Sequence, residues 1–290
     1  MKYLYFKGCT VPVKFPNLEK VANDVLPEIG IELVEDGQFS CCPDPVQVQG
    51  VNVKFWYATA ARNLAIAEEQ NMNIVTMCNG CLNTLAIVNH ELKKDSKLKA
   101  KVNEVLKEIG MQYKGTIEVK HFMQVIKDEV GMENLKKQVK KPLSGLKIAS
   151  HPGCHILMPE EVIKFDDPCD PVVFDQFIAA LGATPVDYLS KILCCGVSLS
   201  LAGAKDSVNE LLKKKLLDIK NAGADLVTTA CPFCFNQFDM GQVVTARAVP
   251  ELKANPIPVL FTVELLGLAM GKSFEDIGAS THRIPLNFKV

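Results

Sequence analysis

The sequence predicts an α/β protein of two tandem homologous domains, each a small parallel sheet with flanking helices. Short apolar, β-branched runs alternate with longer helical patterns, and the cysteine motifs occur twice in the same order. We expect the first domain at residues 1–140 and the second at residues 141–290. Because ligand sites of open α/β sheets gather at the carboxyl ends of strands, we expect the cysteines there, facing a shared cleft.

The cysteines form two sets of the same design, each with a lone cysteine, an adjacent pair and a C-x2-C motif. Residues 43–77 separate the pair from the C-x2-C motif in the first set and residues 196–230 do so in the second, which is 35 residues in both. One offset of 153 residues, from 41 to 194 and from 78 to 231, superposes these motifs. The first set is Cys9, Cys41, Cys42, Cys78 and Cys81, and the second is Cys154, Cys194, Cys195, Cys231 and Cys234.

Strand and helix patterns recur around these motifs. Three apolar runs in each half predict strands, at residues 2–6, 73–77 and 117–122, and again at residues 146–149, 225–229 and 257–262. The third run of each half leads into an amphipathic helical pattern, and longer helical patterns occupy residues 58–70 and 206–221. The Lys-rich segment 133–141, followed by a proline, predicts the linker between the domains.

Composition excludes several classes of protein. A chain of 290 residues that is 48% hydrophobic can form two cores of ordinary size. A formal net charge of −1 provides no basic field for nucleic acid or an anionic membrane. The N-terminal residues MKYLYFKGCT lack the apolar core of a signal peptide, and the apolar stretch 259–270 is too short to span a bilayer. We expect a cytoplasmic protein that binds no nucleic acid and does not insert into a membrane.

The number and arrangement of the cysteines favour a metal site with more than four thiolates. In a reducing compartment, clustered cysteines are more often metal ligands or catalytic groups than disulfides. Structural zinc takes four ligands, whereas each set offers five, and the backbone directs adjacent cysteines apart. A thioredoxin-like dithiol would use the C-x2-C motif and leave three cysteines of each set without a role. Excess soft thiolates suit a multi-iron cluster best, with zinc and the dithiol as alternatives.

The pattern C-x31-CC-x35-CxxC followed by C-x39-CC-x35-CxxC resembles the duplicated cysteine-rich domain found in the B subunit of heterodisulfide reductase. The resemblance covers nearly the whole chain and includes CNGC at 78–81, GCH at 153–155, FDDP at 165–168 and CCG at 194–196. It implies two non-cubane [4Fe-4S] clusters, one per repeat, each held by the five cysteines of its set. Cys169 has no counterpart in the first repeat, and we interpret it as a structural or incidental thiol.

The resemblance also implies a function. Members of this family are catalytic iron–sulfur subunits that reduce the coenzyme M–coenzyme B disulfide to two thiols. Opening a disulfide takes two electrons, which suits two one-electron clusters that face each other across a cleft. The alternative is an iron–sulfur electron-transfer subunit of a glycolate, lactate or glycerol-phosphate oxidising complex.

The electrons are expected to come from partner subunits. The chain lacks the ferredoxin motif, a G-x-G-x-x-G motif that opens a helix after a strand, and a P-loop. We therefore expect no flavin or nucleotide in this chain. The resemblance implies a ferredoxin-type iron–sulfur subunit and a flavin-containing subunit in the same complex, with a hydrogenase or formate dehydrogenase as a further candidate.

Three side chains next to the cysteines are candidates for handling an anionic disulfide. The substrate implied by the resemblance carries sulfonate, phosphate and carboxylate groups, which require cationic or amide donors. Lys7 and His151 flank the first cysteine of each set, and we predict that they bind substrate. His155 directly follows Cys154, and because histidine titrates near neutral pH we predict that it protonates a departing thiolate.

Overall fold

The computed structural model describes residues 1–289 and contains two four-stranded parallel sheets of identical topology. The first sheet has the order β2-β1-β3-β4, with β1 at Lys2–Phe6, β2 at Glu32–Val34, β3 at Ile74–Thr76 and β4 at Val119–His121. The second has the order β6-β5-β7-β8, with β5 at Lys147–His151, β6 at Thr184–Val186, β7 at Leu226–Thr229 and β8 at Val259–Phe261. The predicted fold class of two parallel α/β repeats is confirmed.

Helices flank both sheets. Those of the first half are α1 at Thr10–Lys14, α2 at Pro16–Val25, α3 at Gln47–Val51, α4 at Val53–Glu69, α5 at Asn79–Lys94, α6 at Ser96–Lys107, α7 at Phe122–Val125 and α8 at Met132–Gln138. Those of the second half are α9 at Glu160–Ile163, α10 at Val173–Ala180, α11 at Val197–Leu201, α12 at Lys205–Asn221, α13 at Pro232–Asn236, α14 at Gln242–Thr245, α15 at Pro250–Ala254 and α16 at Thr262–Ala269. Helices α4 and α12 contain the two long helical patterns predicted from the sequence.

Short 3-10 and π-helical segments complete the secondary structure. The 3-10 segments are Leu26–Ile29, Ala246–Ala248 and Ala279–Thr281, and the π-helical segments are Ile126–Val130 and Gln237–Gly241. The two π-helical segments continue α7 and α13, so in both halves the chain leaves a cluster of buried side chains through a widened turn.

Strand register brings the cysteine motifs to one edge of each sheet. In the first sheet Phe6 pairs with Thr76, and in the second His151 pairs with Thr229. These residues are the last of their strands, so the loops that carry Cys9 and Cys78 leave the first sheet side by side. The loops that carry Cys154 and Cys231 do the same in the second sheet. Parallel pairing therefore gathers the cysteines at the carboxyl ends, as ligand sites of such sheets require.

The two halves exchange helices. Helix α8 packs on α10 of the second half, and α16 packs on α2 of the first. The predicted linker at residues 133–141 is thus largely a helix, anchored by the fully buried Leu135. Its repeated lysines cover the exposed face of α8, which explains why its sequence looks like a solvated connection.

Candidate metal centres

Each set of five cysteines lines its own cavity. The first thiol site, a cavity of about 370 Å³, is lined by Cys9, Cys41, Cys42, Cys78 and Cys81. The second thiol site, of about 460 Å³, is lined by Cys154, Cys194, Cys195, Cys231 and Cys234. All of these cysteines are free thiols. The Sγ atoms of Cys9 and Cys41 are 3.9 Å apart and those of Cys195 and Cys234 are 3.4 Å apart, so the thiols surround a common space without being bonded to one another.

A glycine with positive φ places the lone cysteine of each set. Gly8 has φ +68° and Gly153 has φ +82°, in the left-handed region that glycine adopts without strain. A Cβ on Gly8 would lie 2.8 Å from the Cys81 Sγ, and one on Gly153 would lie 2.6 Å from the Asn79 Nδ2. Both Gly-Cys sequences thus allow the chain to turn sharply while it passes close to the neighbouring C-x2-C helix.

The C-x2-C motifs adopt matching conformations at the starts of two helices. Cys78 is the N-cap of α5 with φ −123° and ψ 122°, and Cys231 is the N-cap of α13 with φ −125° and ψ 125°. The second cysteine of each motif lies in the first helical turn, so both thiols face the same cavity. Backbone N–H groups at a helix start favour negative charge, which suits thiolate ligands.

Solvent exposure follows the same gradient in both sites. In the first thiol site Cys9 and Cys41 are exposed, and in the second Cys154 and Cys194 are partly exposed. The second cysteine of each adjacent pair and both cysteines of each C-x2-C motif are buried. A group bound by these thiols would therefore be enclosed on the protein side and open on the side of the lone cysteine.

The two thiol sites are neighbours. Asp44, Gly80 and Phe233 line both cavities. Hydrogen bonds from Cys234 and Cys78 lower the pKa of Cys231, while the bond with Cys231 is the largest cause of the raised pKa of Cys78. A thiol of one half therefore contacts a thiol of the other.

Each C-x2-C helix holds the Gly-Cys loop of the opposite half. From α5, Asn79 donates to the Pro152 carbonyl at 2.8 Å, and Asn83 donates to the His155 and Met158 carbonyls at 3.2 and 2.7 Å. From α13, Phe235 packs edge-on against Phe15, with ring centroids 5.1 Å apart. This reciprocal packing fixes the position of the two thiol sites relative to each other.

The thiols of each site share protons. Hydrogen bonds from Cys41 and Cys81 lower the pKa of Cys42 to about 5, and the bond from Cys154 is the largest cause that lowers the pKa of Cys194 to about 2. Five thiols around one small cavity cannot all be ionised without counter-charge, so metal cations must replace the shared protons on binding. Five converging soft donors exceed the four that one tetrahedral zinc takes and fit a multi-iron cluster.

Two buried side chains support the loops that carry the adjacent cysteine pairs, and neither was predicted from the sequence. Asn63 of α4 donates to the Cys41 carbonyl at 3.1 Å. Lys215 of α12 donates to the Ser190 carbonyl, on the loop that leads to Cys194. A lysine within the apolar stripe of an amphipathic helix was the signal that could have drawn attention to Lys215.

The predicted substrate residues differ in their surroundings. Lys7 lines the first cavity, but its Nζ forms ion pairs with Glu19 at 2.5 Å and Glu35 at 2.7 Å. His155 is partly exposed and lines the second cavity. His151 is fully buried at the end of β5, and burial lowers its pKa to about 3, so its ring is neutral.

His151 lies against the second thiol site. One of its ring nitrogens lies within 4.8 Å of the Cys195 and Cys234 Sγ atoms, and neither nitrogen makes a well-formed hydrogen bond within residues 1–289. Cys169, by contrast, is exposed and lines neither cavity.

Comparison with known proteins matches a family and several relatives. The family model described as "Cysteine-rich domain" matches residues 3–86 and 148–239. The chain is 41% identical to the B subunit of the ferredoxin/F(420)H(2)-dependent CoB-CoM heterodisulfide reductase of Methanosarcina acetivorans, over 98% of this chain and 94% of the relative. It is 34% identical to the "8-methylmenaquinol:fumarate reductase membrane anchor subunit" of Wolinella succinogenes, over 96% and 95%.

A solved structure supports the fold. A crystal structure of a hypothetical protein from Helicobacter pylori matches with a TM-score of 0.80 and 17% identity, over 99% of this chain and 53% of that one. Within residues 1–289, no helix combines the length and the apolar character needed to cross a membrane.

Proposed function

Since the chain belongs to the family of duplicated cysteine-rich domains that includes the B subunits of heterodisulfide reductases, we propose that it is the catalytic iron–sulfur subunit of such a reductase. The proposed reaction is reduction of the coenzyme M–coenzyme B disulfide to its two thiols. The observation that carries the proposal is the pair of five-thiol cavities that adjoin each other at Asp44, Gly80 and Phe233.

The ten cysteines are the proposed ligands of two non-cubane [4Fe-4S] clusters, one for each thiol site. When bound, these clusters would supply the two electrons, one each, that opening a disulfide takes. The chain's own contribution is to hold the two sites together through the contact of Cys78 with Cys231. Phe233 contributes an apolar wall to both cavities, which limits the access of water to the space between them.

We propose His155 as the proton donor of the reaction. It is adjacent to the partly exposed Cys154, and the two Asn83 hydrogen-bond acceptors on its loop, the His155 and Met158 carbonyls, fix its backbone. An imidazole held at this position can deliver a proton to a thiolate sulfur in the cavity.

We propose that Lys7 and His151 contribute to substrate binding in different ways. Lys7 carries a positive charge at the mouth of the first cavity, although Glu19 and Glu35 neutralise much of it. His151 is too deeply buried to contact a long substrate directly, so its contribution would be made through the wall of the second thiol site.

The proposed partners are those of a reductase complex. A ferredoxin-type iron–sulfur subunit and a flavin-containing subunit would deliver electrons, with a hydrogenase or formate dehydrogenase as their source. The name of the Methanosarcina relative, which describes one subunit of several and a ferredoxin dependence, supports this assignment.

Anaerobic purification with metal analysis and a turnover assay tests the proposal. Two four-iron clusters predict on the order of eight iron atoms per chain, and air should bleach the protein. The complex should reduce the coenzyme M–coenzyme B disulfide with a reduced viologen dye as donor. About one zinc per repeat without iron would refute the proposed cofactor.

A second candidate is an electron-transfer subunit in a complex that does not act on a disulfide, such as a glycolate, lactate or glycerol-phosphate oxidising complex. The 34% identity to a subunit of a menaquinol:fumarate reductase favours keeping this candidate. An iron-loaded protein that exchanges electrons with a quinone but leaves the heterodisulfide intact would favour it over the first.

A further inference from the structure

A buried lysine lies behind the second thiol site. Lys215 of α12 has no exposed surface. Its Nζ donates to the Ser190 carbonyl and, at 3.3 Å, to the Lys191 carbonyl, and it lies 5.3 Å from the centroid of the Tyr188 ring. No carboxylate is among these partners. The ammonium group is thus held by neutral acceptors on the loop that leads to Cys194 and Cys195.

The charge of Lys215 acts on the second thiol site. Burial lowers the pKa of Lys215 to about 8. The charges that oppose this shift are mainly those of the thiolates Cys234, Cys195 and Cys194. The lysine also lowers the pKa of His151, whose ring lies against the Cys195 and Cys234 sulfurs.

The first half carries a neutral side chain at the equivalent place. The inward-facing residues Leu212, Lys215, Leu216 and Ile219 of α12 correspond, at an offset of 152, to Ala60, Asn63, Leu64 and Ala67 of α4, and all eight are buried. Asn63 also holds the loop before its cysteine pair, since it donates to the Cys41 carbonyl and accepts from the Ser40 N–H at 3.0 Å. Asn63 and Lys215 therefore perform the same structural task with different charge.

A second substitution between the halves lies beside the first. The last residue of β1 is Phe6 and the last residue of β5 is His151. Phe6 packs edge-on against Phe39, and His151 packs edge-on against Phe238, with ring centroids 5.0 Å apart in both cases. The second thiol site thus has an N–H donor where the first has a hydrocarbon ring.

We infer that Lys215 makes the two metal centres electronically unequal, so that the second thiol site holds the centre with the higher reduction potential. This inference rests on the proposed function, because it requires a redox-active cluster in each site. Reduction adds negative charge, and a buried cation nearby stabilises the reduced state more than a neutral amide does. An N–H donor near the cluster sulfurs acts in the same direction.

Redox titration of the anaerobic protein, followed by electron paramagnetic resonance, tests the inference. Cys41→Ser and Cys194→Ser variants assign the signals of the two centres. In the wild-type protein the second centre should have the higher midpoint potential. Lys215→Gln, which keeps an N–H donor, should reduce its one-electron equilibrium constant at least tenfold, or 59 mV, and leave the first centre unchanged. Lys215→Arg should restore the potential.

Two results would overturn the inference while leaving the proposed function intact. One is an iron-loaded wild-type protein whose second centre has a potential equal to or below that of the first. The other is a Lys215→Gln variant with full iron content and an unchanged potential. If the protein holds no iron, the proposed function itself fails. Asn63→Lys is the reciprocal variant and should raise the potential of the first centre, so the inference can be tested even if Lys215→Gln fails to fold.

Discussion

Replacement of Gly153 by alanine should selectively damage the second thiol site. Two costs can be worked from the structure. A left-handed backbone at φ +82° costs an L-residue about 1–2 kcal/mol. The new Cβ would also lie 2.6 Å from the Asn79 Nδ2, and an overpacked contact costs about 1–3 kcal/mol. If Asn79 moves away to relieve the clash, the buried Pro152 carbonyl loses its hydrogen bond, at about 1–3 kcal/mol.

The matched control is Gly145→Ala. Gly145 has φ +88°, but nothing lies within 4 Å of an added Cβ. The control therefore isolates the backbone cost, and the difference between the two variants isolates the clash with Asn79. That difference, about 2 kcal/mol or more, corresponds to a melting temperature lower by at least about 4 °C.

Anaerobic thermal unfolding and iron analysis together provide the assay. We expect Gly153→Ala to lose iron from the second site, because the displaced loop carries Cys154, and to keep the iron of the first. Gly145→Ala should keep both. Equal melting temperatures for the two variants, with full iron in Gly153→Ala, would refute the close approach of Asn79 as the reason for this glycine.

The remaining predictions concern individual side chains. Cys41→Ser and Cys194→Ser should each remove about half of the iron and abolish disulfide cleavage, because each alters one site; near-normal turnover in either variant would contradict a two-centre reaction. The control Cys169→Ser should change neither iron content nor activity, since this thiol lines neither cavity. His155→Gln should keep the iron and lower kcat, and an unchanged kcat and pH profile would exclude the residue from proton transfer. Lys7→Met should chiefly raise KM, and a fall in kcat at constant KM would argue against a binding role.

The sequence predicted the central strands and the cysteine sets because both have strong local signals. Strands β1, β3, β5 and β7 are apolar runs that lead directly into a cysteine motif. The edge strands β2 and β6 were not predicted. Each has only three residues, with an exposed first residue and partly buried ones after it, so neither forms a distinctive apolar run.

The exchange of helices between the halves could not be read from the sequence. Helix α16 is apolar on all sides, which predicts burial but not its partner. In the structure it packs on α2, where Asn17 donates to the buried Glu264 carboxylate at 3.0 Å. Helix α8 offers little apolar surface besides Leu135, so its packing on α10 depends on a contact that no local pattern encodes.

The two thiol sites are alike in their ligands and differ in the side chains just behind them. The ligands keep the same order, and their C-x2-C backbones agree within a few degrees, because metal coordination tolerates little variation in either. The supporting positions tolerate more, provided that each side chain still holds its loop, as both Asn63 and Lys215 do. A sequence pattern can therefore indicate the kind of group that is bound, since that depends on the donors. The field around the group depends on which side chains are buried beside it, and Lys215 is recognised as one of them only when α12 is seen packed against its loop.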